Sequence, residues 1–419
     1  MPAKQTLSKS PSVCRDSIFR ISVLLMAIAV NQLTYAQSIA EQEPVSDPVV
    51  DYMNAIDNVE AEYSTYSTEL SDLYLGLGKS LYSREEYENA RRAFQRGMQI
   101  ERVNYGLDSL TQAPYLISIA DTESYLGNWG ESQKALKNLY TINTKAYGAN
   151  DVRMLPVLDQ LLDWYMSTYK ERTPKGGYSN LVISERIAAR IYDILETDMP
   201  LDDPDAPNRY RRLGYLQYFI ANHIKQHGEP SDSGLSISMA GSSGRPSDAT
   251  TSHMHFRRGK LALEKVIEAL VEQPDSTEID QAMAIAELGD WYLVFGQKFS
   301  ASQAYQLAFD VLETAENPEQ ARAELFSAPR MIEFSMDKRS EVALSDESSE
   351  SQLELSMMIS TYGVPNQIEV TSSPQSLTED QLGKLRKDMR SKRFRPKLVN
   401  GLAAEAPHSM LYDQPTPKG

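Results

Sequence analysis

Small side chains recur at fixed distances from large ones, and this pattern limits the fold more than any other feature of the chain. Tyr74, Leu77, Gly78 and Leu81 lie at three- and four-residue spacing, which puts them on one face of a helix. Tyr87, Ala90, Phe94 and Gly97 do the same on the stretch that follows, so a helix pair is predicted from Ser71 to about Asn104. Gly78 and Ala90 are small where two helices must cross closely, and the large residues fill the space on either side. The pattern then repeats: Tyr105-Gly106 returns as Tyr147-Gly148, 42 residues on (105 to 147). At the same offset Tyr87 becomes Trp129, Phe94 becomes Leu136, Pro114 becomes Pro156, Leu116 becomes Leu158 and Ile119 becomes Leu161. Gly78 becomes Ala120 and Ala90 becomes Ser132, so small positions stay small.

This arrangement resembles the tetratricopeptide (TPR) repeat. The usual repeat is about 34 residues, and the longer connection around Tyr-Gly is similar to that of the kinesin-light-chain type. The resemblance implies a mainly α chain, a TPR-like α-solenoid that binds protein or peptide segments and carries no catalytic centre or cofactor. The predicted repeat-packing residues are Tyr74, Leu77, Gly78, Tyr87, Ala90, Phe94, Gly97, Trp129, Ser132 and Leu136. A third repeat starts near Leu155, is interrupted over Thr173–Gly177, and resumes with Ile183, Ile187 and Ile191. Another helix spans about Asn208 to His227. Residues 228–252, rich in Ser and Gly, read as a flexible insertion. Helices resume at His253, and a further repeat contains Gly289, Trp291, Phe299, Ala301, Tyr305 and Ala308. Helical repeats are thus expected over 51–227 and 253–325.

The first 36 residues read as a signal peptide: Lys4, Lys9, Arg15 and Arg20 precede the apolar run Ile21–Val30, and Thr34-Tyr35-Ala36 offers a cleavage site. The alternative is an uncleaved inner-membrane anchor, for which the run is short. Residues 37–50 read as a disordered lead-in. Cleavage would remove four basic side chains and Asp16, taking the net charge from −16 to −19, a balance that repels nucleic acid and anionic membranes. The one cysteine, Cys14, falls in the signal, which excludes disulfides and thiol chemistry from the rest. These features predict a periplasmic protein.

The period changes after about 335. Glu341–Leu344 is strand-like and Ser345–Ser351 is turn-like. Leu353, Leu355, Met357 and Ile359 alternate as in a half-buried strand, and Gln367–Ser372 makes a second. Thr378 caps a helix holding Leu382, Leu385 and Met389. Arg393-Phe394-Arg395-Pro396 follows, then Asn400-Gly401 as a hairpin turn and a last strand near Ser409–Tyr412. This order resembles the C-terminal domain of TonB-type energy transducers and predicts a small α+β domain over 335–413. The resemblance implies a sheet edge that accepts a partner's strand, with Arg390, Arg393, Phe394, Arg395 and Pro396 as candidate partner-binding residues. Pro396 is expected to end the helix, and deleting 350–419 is expected to leave the helical part folded. A TonB transducer's membrane anchor and proline-rich spacer are replaced here, so a scaffold for cell-envelope proteins or peptides is the first reading. The second is an atypical TonB-system component contacting outer-membrane receptors in energy-dependent transport.

Two further clusters stand out. His223 and His227, four apart, could hold a metal, but no carboxylate is placed to join them and exposed helix residues are expected. Lys384, Arg386, Lys387, Arg390, Lys392, Arg393, Arg395 and Lys397 form a basic run in an acidic chain. This is either a contact for an acidic peptide or lipid headgroup or a solvated helix face.

Overall fold

The computed structural model describes residues 47–171, 174–228, 248–336, 352–373 and 377–413. The expected signal peptide, most of the lead-in, most of the Ser/Gly-rich insertion and Glu341–Ser351 lie outside them. The described residues form two compact units that divide between Ile142 and Asn143, so the division falls far ahead of the boundary expected at 335.

In the first unit, α1 (Pro48–Glu62) begins ahead of residue 51, because Asp47 accepts the Val49 N–H at 2.9 Å and Pro48 occupies the first turn. Helices α2 (Thr68–Ser83), α3 (Tyr87–Tyr105) and α4 (Ala113–Tyr125) follow, and α5 (Trp129–Tyr147) begins there. The α2–α3 hairpin closes as the small residues demand. A Cβ at Gly78 would stand 2.4 Å from the Phe94 ring, and one at Gly97 would stand 2.5 Å from Tyr115 on the next hairpin. The next pair uses the same register with Ala120 and Leu136, both buried. Ser132, in the place of Ala90, satisfies its hydroxyl by donating to the Ala120 carbonyl at 2.7 Å.

The turns also repeat. Glu85 takes φ 63 between α2 and α3, and Gly127, 42 residues later (85 to 127), takes φ 75. The added connection is a short 3-10 turn, Leu110–Gln112, whose buried Gln112 amide donates to the carbonyls of Gly106, Leu107 and Ser109. Its counterpart is Val152–Met154, where Asp151 accepts the Arg153 N–H.

The second unit contains α6 (Leu155–Glu171), α7 (Pro174–Asp198), α8 (Ala206–His227), α9 (Asp248–Glu272), α10 (Glu278–Val294), α11 (Lys298–Val311) and α12 (Pro318–Phe326). The interruption expected through Gly177 is shorter, since α7 begins at Pro174, a residue suited to a helix's first turn. The α10–α11 hairpin repeats the packing of the first: a Cβ at Gly289 would meet the Tyr305 ring at 2.5 Å, with Ala301 and Ala308 buried beside it. Phe299 corrects an expectation. It is 76% exposed, because Lys298 takes the place held by Tyr87 and Trp129 and the next side chain points outward.

The C-terminal strands form three small sheets. β1 (Arg330–Met331) pairs with β4 (Phe394–Arg395). β5 (Lys397–Val399) and β6 (Leu402–Ala404) make a hairpin through Asn400 and Gly401, both with positive φ. The largest sheet is antiparallel, in the order β3 (Pro365–Ser372), β2 (Gln352–Ile359), β7 (Ala406–Asp413). Helix α13 (Glu379–Ser391) covers it, with a capping box at Thr378 and Gln381. Leu353, Leu355, Met357, Ile359, Leu385, Met389 and Phe394 form its core.

This region is not an independent domain. Leu398 is buried in the same cluster as Ala286, Leu293, Tyr305 and Leu312 of the last helices, and β1 precedes residue 335. Pro396 also departs from expectation: α13 ends at Ser391, and Pro396 separates β4 from β5.

Candidate functional site

The predicted packing residues lie in the helix interfaces. Leu77, Gly78, Ala90, Phe94, Gly97, Ser132 and Leu136 are buried, whereas Tyr74, Tyr87 and Trp129 are half-buried. Tyr74 donates to Glu60 at 3.3 Å.

Tyr87 belongs to a group that periodicity alone does not mark. Tyr82 lies at the end of α2, Tyr87 begins α3 and Tyr125 ends α4. The Tyr87 and Tyr125 rings stack at 5.0 Å, and Tyr82 meets both edge-on at 5.3 and 5.5 Å. Tyr125 is 66% exposed. One turn before it, Asp121 is largely buried, and burial raises its carboxyl to about 6. Burial, the hydrogen bond with Tyr125 and the Asp121 charge raise the Tyr82 phenol. A carboxylate whose charge reaches Tyr82, one member of a three-ring cluster, has the chemistry to receive a cation. The sequence holds a signal for this site, since Asp121 recurs at the 42-residue offset as Asp163.

Among the expected partner-binding residues, Phe394, Arg395 and Pro396 are interior and so cannot form a contact surface. Phe394 fills the sheet–helix core. Arg395 makes a bidentate pair with Asp290 of α10. Arg393 caps α13 by donating to the carbonyls of Arg390 and Lys392. Arg390 is exposed. Of the remaining basic run, Lys384 pairs with Asp380 at 2.6 Å and Lys392 approaches Asp388 at 4.0 Å, so these two lysines belong to a solvated, internally paired face.

The better surface is the sheet edge. β7 runs in unbroken register along β2, from Asp413 opposite Gln352 to Ala406 opposite Ile359, and its other side has no strand among the described residues. His408, Met410 and Tyr412 turn towards α13 and the core, as Tyr412 donates to Asp388 and His408 meets Phe394. Ser409 and Leu411 face outward, Leu411 being 62% exposed. Pro407 lacks an N–H, which leaves His408–Tyr412 as the usable edge. The opposite edge, β3, is irregular: Gln367 has φ 51, and the register slips twice.

Of the two histidines expected to be exposed on a helix, His227 is exposed and His223 is not. His223 is buried, contacts the Tyr169 hydroxyl at 3.1 Å and stacks on Tyr178. His255 is 3% exposed and bonded to Gln217 at 2.7 Å. Among the described residues, no group of three or more potential ligands could hold a metal, and no helix is long and apolar enough to cross a membrane.

No protein-family model and no curated protein matches the sequence. Among solved structures, the chain is similar to a Podosopora anserina putative kinesin light chain with nearly identical TPR-like repeats, and to a single-substitution form of that protein. Each match has 13% identity and a TM-score of 0.37, covering 61% of this chain and 97% of that one. The repeat assignment rests on the small-to-large packing within each helical hairpin.

Proposed function

We propose that the protein is a non-enzymatic scaffold of the periplasm that holds protein or peptide segments, using its helical hairpins and the open edge of its C-terminal sheet. The regular edge of β7, without Asp, Glu, Lys or Arg over His408–Tyr412, carries this reading. Unpaired main-chain donors and acceptors along such a strand add a partner strand by β-augmentation, while outward side chains such as Leu411 contribute selectivity. The TonB-like order of strands and helix supports the same use, and the signal-like first 36 residues support export.

Peptides selected from a displayed random library on the full chain test it. Ser409→Pro and Leu411→Lys should each weaken the selected peptides by about tenfold or more, equivalent to roughly 1.4 kcal/mol. Variants that fold and bind those peptides as the parent does would remove the edge from the account.

A further inference from the structure

We propose that Asp121, with Tyr82, Tyr87 and Tyr125, is a receptor for an arginine side chain presented by a protein partner. The inference rests on the scaffold reading and gives the helical part a ligand chemistry.

Two observations carry it. Asp121 is a largely buried carboxylate whose titration is shifted by burial alone, with no cation or hydrogen-bond donor among the described residues to offset the lost hydration. The repeat also supplies an internal comparison. Asp163 stands 42 residues on (121 to 163), at the same point of the next hairpin, and there the chain provides its own arginine: Arg212 of α8 pairs with Asp163 and with Asp159. The same helix position thus accepts a guanidinium where one is supplied internally.

The rings favour arginine over lysine. A planar guanidinium can pair with the carboxylate and lie against a phenol face, whereas an ammonium is a compact, strongly hydrated charge. The chain uses this contact elsewhere, with Arg96 over Tyr66 at 4.8 Å and Arg153 over Tyr147 at 4.3 Å. A net charge of −16 favours a basic partner at long range.

The probe is the peptide acetyl-Gly-Gly-Arg-Gly-Gly-amide, titrated into the full chain and followed by the methyl resonances of Ile117, one turn before Asp121. Saturable shifts are expected, weakened about tenfold by Asp121→Asn, weakened by Tyr125→Leu, and small with the lysine or citrulline peptide. Tyr125 is exposed enough for its variant to fold as the parent does. No shift at millimolar peptide, equal binding of the citrulline peptide, or unchanged binding by Asp121→Asn would each overturn the proposal. Leu411→Lys should leave these shifts intact. Loss of arginine binding with strand binding at β7 retained would sink this proposal alone, and loss of both would sink the scaffold reading as well.

Discussion

Arg395 and Asp290 are 105 residues apart in sequence and meet in the interior, with Nε 3.1 Å from Oδ1 and Nη2 2.6 Å from Oδ2. Tyr305 donates to the same carboxylate at 2.8 Å, so strand β4 is fastened to both helices of the last hairpin. Removing one member of a buried pair leaves the other charge uncompensated. Arg395→Met should therefore cost about 3–5 kcal/mol, read by urea unfolding through Trp291 fluorescence. Asp290→Leu in the same chain should recover most of that loss. Deleting 350–419 should destabilise α10–α12, because it exposes the cluster around Leu293 and leaves Asp290 without its guanidinium. Unchanged hydrogen exchange in those helices would restore the picture of two independent domains.

Gly78 and Gly130 should respond in opposite directions to the same change. Gly78→Ala drives a Cβ to within 2.4 Å of Phe94, at an overpacking cost of about 1–3 kcal/mol. Nothing stands within 4 Å of a Cβ at Gly130. Gly130→Ala should stabilise by about 0.4–1 kcal/mol through the unfolded chain. Amide exchange in α2, α3 and α5 separates the two effects.

Glu85 occupies the left-handed conformation that Gly127 and Gly296 occupy in equivalent turns. Its Cβ makes this cost about 1 kcal/mol or more. Glu85→Gly should raise the stability of the first hairpin by about 0.5–1 kcal/mol after glycine's larger entropy loss. Slower exchange across the α2–α3 turn would show it.

His255 makes the second unit acid-sensitive. Burial lowers its pKa from 6.5 to about 4, so the folded chain keeps the ring neutral while the unfolded chain protonates it. The contribution is complete above about pH 6.5 and is lost as pH falls towards 4, in total on the order of 2–3 kcal/mol. Denaturant unfolding from pH 7 to 4 should show a shallower loss for His255→Gln than for the parent. Parallel curves would mean the ring is not held neutral.

The hairpins are legible in the sequence because their packing is local: Gly78 and Phe94, or Gly289 and Tyr305, sit a few turns apart and recur with a period. Asn400-Gly401 and the Thr378 cap are legible for the same reason. Arg395 reads as a surface residue because its partner lies on a distant helix that no period connects to it. Phe299 reads as inward because a shift of one residue along a helix turns a side chain through about 100°, and the start of α11 is not marked by a cap. Burial of His223 and His255 depends on Tyr178 and Gln217, which come from other helices. The recurrence of Asp121 as Asp163 is legible in the sequence, but the contrast between them is not, because the arginine that pairs with Asp163 comes from α8.

Amide hydrogen exchange across the full chain, with and without a peptide selected for binding, tests the scaffold account most directly. Free, β7 should show fast-exchanging amides on its open side beside slow ones bonded to β2. With peptide bound, the fast amides of His408–Tyr412 should slow by about tenfold or more while β3 stays unchanged. Protection that appears elsewhere, with the open side of β7 exchanging as before, would contradict it.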